Sequence, residues 1–85
     1  MIVLVVNAQP VWTQRIKSRL EAAGAAVSVA PTWSKAADIL EDLDEWPDIV
    51  IVEQRVLEKE SAAVLDSLRE EEWQPILVIS KITRK

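Results

Sequence analysis

Asp48-Ile49-Val50-Ile51-Val52-Glu53 is the stretch from which the fold can be read. Four successive β-branched residues suit a pleated strand, and apolar side chains on both faces call for cover on both faces. That is the pattern of a central strand in a parallel sheet sandwiched between helix layers. Glu53 falls at its carboxyl end, the edge where open α/β sheets carry their functional site.

Working outward, Ile2 to Val6 is a second aliphatic run, ended by Asn7-Ala8-Gln9-Pro10. Pro10 suits the first turn of a helix, where its missing N–H is not needed. Trp12, Ile16, Leu20 and Ala23 then recur at helical spacing, predicting a helix over 10–23 with Trp12 in the core. Gly24, the only glycine in the chain, stands where the helix should stop. Ala26 to Ala30 reads as a short outer strand. Thr32 or Ser34 caps a second helix, whose apolar face is Ala36, Ile39, Leu40 and Leu43. Its far end is acidic, and Trp46-Pro47 stops it. Beyond Glu53, Leu57 to Glu60 reads as a polar connection and Ser61 as the cap of a third helix. Val64, Leu65 and Leu68 form that helix's apolar stripe, and Gln74-Pro75 ends it. Ile76 to Ile79 is a fourth strand. The order β-α-β-α-β-α-β calls for a parallel sheet with right-handed crossovers.

Composition narrows the chemistry. The chain has 85 residues, no cysteine and no histidine. That removes thiolate chemistry, the commonest general base and the commonest metal ligand. Ten basic residues against fourteen acidic ones give a net charge of −4. This balance argues against non-specific binding to nucleic acid or to an anionic membrane. Ile2 to Val6 is far too short to span a membrane and lacks a cleavage region. No glycine-rich phosphate loop follows any strand. The expectation is one cytoplasmic domain, not an enzyme, with no cofactor and no metal.

Taken in order, these motifs resemble the receiver domains of two-component response regulators. The resemblance rests on Ile2 to Val6 before a short polar turn, Leu20-Glu21-Ala22-Ala23-Gly24 closing the first helix, Pro47-Asp48 leading into the Ile49–Glu53 strand, and Pro75 leading into Ile76–Ser80. It covers the whole chain but only about the first two-thirds of a typical receiver. It implies a three-layer flavodoxin-like parallel sheet, truncated to four strands in the order 2-1-3-4, with three helices. It also implies that the family's last strand and helices are lacking.

Carried over residue by residue, the resemblance implies a degenerate phosphoacceptor pocket of Asn7, Ala8, Glu53 and Ser80. The family holds Mg²⁺ with two acidic residues after strand one, and here those positions are Asn7 and Ala8. Its phosphate-accepting Asp is Glu53, one methylene longer. Its Thr/Ser after strand four is retained as Ser80, and its lysine lies beyond the matched region. The proline-bearing turn after the phosphoacceptor reads Val56-Leu57, and Ser61 replaces a glycine. Phosphoryl transfer to a carboxylate needs Mg²⁺ to neutralise charge, and Mg²⁺ needs oxygen ligands that Ala8 cannot offer. The expectation is a phosphorylation-independent pseudo-receiver working through protein contacts. The alternative is a functional receiver switched by a histidine kinase.

Glu53 has two readings: a charge beside Ser80 that imitates a phosphorylated Asp, or a polar strand-end residue in solvent. Asn7 either bonds across the pocket to Glu53 or forms an Asx-turn into Pro10. Trp33, Trp46 and Trp73 fall at helix ends, where a ring covers the rim of a core or anchors an interface. A strand-four edge without a neighbour is an association hazard. The favoured interface is Ile76, Val78, Ile82 and Trp73, joining two copies through strand four and the C-terminal tail; the alternatives are that Ile82 and its neighbours fold back over the edge, or that a longer chain supplies the remainder.

Overall fold

A computed structural model describes residues 1–42, 45–68 and 76–80. The elements are β1 (Ile2–Val6), α1 (Pro10–Ala22), β2 (Ala26–Ala30), α2 (Trp33–Asp42), β3 (Ile49–Glu53), α3 (Gln54–Leu68) and β4 (Ile76–Ser80). The four strands form one sheet in the order β2-β1-β3-β4, and every pairing is parallel. This is an α/β architecture of the flavodoxin-like type.

Alternation along the strands sends side chains to two faces of unequal cover. Leu4, Val6, Val50 and Val52 point to the face covered by α2 and α3, where they cluster with Ala30, Trp33, Ala36 and Val56. Trp33 is only 1% exposed. It is the bulkiest fully buried side chain in this cluster, so it forms the core and does not cover its rim. On the opposite face α1 seals Val3 and Val5, whereas Ile49 and Ile51 stay half-buried. The full two-sided cover expected of β3 is therefore realised on one face only.

Helix boundaries have local causes. Asn7 Oδ1 accepts the Gln9 N–H at 2.7 Å, an Asx-turn that delivers the chain into Pro10 at the start of α1. α1 ends in a Schellman motif: Gly24 N–H donates to Glu21 O at 3.0 Å, and Ala25 N–H to Leu20 O at 3.0 Å. Gly24 takes φ +95°, which a side chain would resist. Thr13, not Trp12, is the buried residue of α1, and Trp12 is half-buried. A threonine can go inward because its hydroxyl donates to Gln9 O at 2.9 Å, leaving no unpaired polar group.

Thr32 caps α2, its Oγ1 accepting the Lys35 N–H at 3.2 Å, while Ser34 is an exposed residue within the helix. Glu60 of α3 supplies a second cap, its Oε2 accepting the Trp33 N–H at 3.0 Å. Negative charge at a helix N-terminus is favourable.

The 57–60 segment differs from expectation. It is helical from Gln54 onward, with a break at Glu60 (φ −125°, ψ 29°) where two helical stretches meet; the side chain of Ser61, expected as a cap, lies outside the described residues. The cause is apolar: Val56 is 7% exposed within the core, and Leu57 packs against it. A segment with these two residues and no Gly or Pro is a better helix than a loop. The side chains of Val64, Leu65 and Leu68, along with Leu43 and residues 70–75, lie outside the described residues.

Candidate functional site

The order β2-β1-β3-β4 contains a reversal. From β1 the chain moves outward to β2, then returns past β1 to β3. Such a switch point opens a crevice between the carboxyl ends of β1 and β3, where open α/β sheets bind ligands. Asn7 and Ala8 follow β1, and Glu53 ends β3. The fold brings all three to one pocket of about 240 Å³, which Thr32, Arg55 and Lys59 also line. Ser80 stands opposite Glu53 in the strand register, so its backbone reaches the same edge; its hydroxyl lies outside the described residues.

Glu53 is buried, at 6% exposed, which excludes the reading of a strand-end residue in solvent. Its Oε2 accepts the Arg55 N–H at 2.9 Å. The carboxylate thus caps the first turn of α3, as an N-cap side chain does two residues on. A glutamate can do so here because α3 starts directly after the strand. Its extra methylene folds the carboxylate back over the turn.

Asn7 is held through two of its polar groups. Its N–H donates to Ala30 O at 2.9 Å, and its Oδ1 serves the Asx-turn. Its Nδ2 is buried without a hydrogen-bond partner among the described residues. The turn, and not a bond to Glu53, is what engages the amide. Magnesium sites depend on several oxygen ligands, and this pocket presents a committed Oδ1, an N–H₂ donor, the methyl of Ala8 and one carboxylate, Glu53, whose Oε2 already holds the Arg55 N–H. The donor set does not fit Mg²⁺.

Arg55 and Lys59 were not singled out in the sequence. Their i, i+4 spacing would have placed them on one side of a helix had 54–60 been read as helical. Glu60 gave no signal at all: its role depends on α2 lying beside α3. Ile76, Val78 and Ile79 on β4 are 64%, 42% and 53% exposed. Trp73 and Ile82, expected at the same interface, lie outside the described residues. Trp46, at the far end of the α2–β3 connection, is 43% exposed. No helix among the described residues is long and apolar enough to cross a membrane.

The fold and pocket therefore define a parallel α/β domain with its candidate site at the switch point. The chain matches no protein-family model, no curated protein and no solved structure.

Proposed function

We propose that this domain is a phosphorylation-independent pseudo-receiver, a protein–protein interaction or dimerisation module in bacterial signal transduction or transcription regulation. The observation that carries the reading is the engagement of Glu53. Its buried carboxylate caps α3 through Arg55 N–H, beside an amide and a methyl where a metal would need carboxylates. A group already holding the backbone, in a pocket without the paired carboxylates that would seat Mg²⁺ against an incoming phosphoryl group, is a poor nucleophile for phosphoryl transfer.

The test is tryptophan fluorescence during titration with Mg²⁺ and beryllofluoride, a non-covalent stand-in for an acyl phosphate. The emission is expected to stay flat. A clear saturable response would instead support a working receiver switched by a histidine kinase.

The partner assigned to the sheet edge is a second copy of this chain. Ile76 N–H donates to Asp48 O at 2.9 Å, so alternate backbone groups from Ile76 turn toward β3. Those of Leu77 and Ile79 then turn away from the sheet. Such an edge is a template for another strand. A two-fold axis at Val78 would pair Leu77 with Ile79 of the other copy in an antiparallel ladder. Sedimentation equilibrium should report a dimer that Ile79→Pro dissociates, since proline removes one ladder donor. A monomer at every concentration would rule the edge contact out.

A further inference from the structure

Pairing β4 with a second copy satisfies a sheet edge but, among the described residues, leaves half of one sheet face uncovered. On the α1 side, Ile49 and Ile51 are half-buried, and Ile76 and Val78, beside them in register, are 64% and 42% exposed. α1 covers the β1–β2 half of this face, where Val3 and Val5 are sealed. The bare half is two strands wide, about 10 Å, which is the diameter of one helix. Five-residue strands, about 16 Å long, match roughly three helical turns.

The flank of α1 supplies the remaining chemistry. In the right-handed crossover of parallel βαβ units, with residues about 100° apart around the helix, Trp12, Ile16 and Arg19 lie on the side of α1 toward β3. Trp12 and Ile16 are half-buried there, as residues on the shoulder of a groove would be. Arg19 and Arg15, both exposed, follow on the outer rim. The groove thus has an apolar floor and a basic rim on its α1 side.

We infer that this groove, floored by Ile49, Ile51, Ile76 and Val78 and rimmed by Arg15 and Arg19, binds an amphipathic helix of a partner protein whose flank nearest α1 is acidic. The floor takes the helix's apolar stripe, as helix-in-groove recognition does. The arginines select the sign of the flank and its orientation. This inference rests on the domain being an interaction module, but not on the state of the Glu53 pocket. The peptide test and the beryllofluoride test can therefore fail separately.

The probe is a capped amphipathic peptide of about 14 residues, long enough for the groove. It carries leucines at i, i+3, i+4 and i+7, with glutamates along one flank. Isoleucine methyl spectra of the whole 85-residue chain should show saturable shifts at Ile16, Ile49, Ile51 and Ile76, with Ile39 on the opposite layer unmoved. Ile76→Asp, at an exposed position, should abolish the shifts while tryptophan fluorescence still reports a cooperative fold. Arg19→Glu should weaken binding about three-fold, the scale of one exposed charge pair.

Absence of saturable shifts from the acidic peptide would overturn the proposal. So would equal binding of the same peptide with lysines in place of glutamates. Methyl shifts at Ile49 and Ile51 that follow protein concentration alone, with a doubling of mass that persists in Ile79→Pro, where the edge pairing is lost, would assign the face to a second copy and overturn it as well.

Discussion

Replacing Glu53 by alanine separates a carboxylate that caps a helix from one that merely occupies a pocket. The side chain is 6% exposed, and its Oε2 accepts the Arg55 N–H at 2.9 Å. Losing an N-cap acceptor costs about 1 kcal/mol. Removing the buried Cγ methylene adds about 0.8 kcal/mol. The sum is about 2 kcal/mol. In a domain of this size each kcal/mol moves the midpoint by about 4–8 °C, so Glu53→Ala should melt roughly 8–16 °C lower. Glu53→Gln keeps the methylene and an acceptor oxygen and loses only the charge assistance, so it should cost roughly half of the cap term, about 0.5 kcal/mol. The assay is urea and thermal unfolding followed by tryptophan emission, where buried Trp33 reports loss of the core. An alanine variant within about 0.5 kcal/mol of the parent, the scatter of ordinary surface changes, would refute the capping argument.

Three further outcomes are expected. Gly24→Ala should lose about 1 kcal/mol, measured by urea unfolding: no atom lies within 4 Å of an added Cβ, so the cost comes from φ +95° alone. Glu60→Ala should lose about 1 kcal/mol, and a double variant with Thr32→Ala should lose more than either alone, since the two side chains cap different N–H groups of α2. The triple variant Asn7→Asp, Ala8→Asp, Glu53→Asp places three carboxylates at the switch point and should acquire a Mg²⁺-dependent change in tryptophan fluorescence that the parent lacks. An unresponsive triple variant would show that the pocket's shape, beyond its donors, is unsuited to the ion.

Three of the four strands were legible because continuous aliphatic runs of four or five residues, bounded by Pro or Asn, admit few other structures, and Ala26–Ala30 was legible from its place between Gly24 and Pro31. Their order followed from alternation with helices and the right-handed crossover. The ends of α1 were legible for a similar reason: Pro10 and Gly24 act through their own backbone chemistry. The 54–60 segment was misread because its polar residues outnumber Val56 and Leu57. What makes it helical is the core those two residues enter, and that core is assembled from β1, α2 and β3. Trp33 was misplaced for the same reason: its position at a helix start says nothing of how deeply the helix sits. Asn7, Ala8 and Glu53 could be grouped in advance, since strand order alone carries their positions to one edge.

By itself, then, the sequence determined the four strands, their parallel arrangement and the want of carboxylate ligands at Asn7 and Ala8, because these depend on local backbone preference and on which atoms a side chain possesses. Only the tertiary structure decided what Glu53 and Glu60 do, which tryptophan forms the core, and which half of a sheet face is left bare. Those outcomes depend on the distance and cover between segments remote in the chain, and no local pattern encodes them.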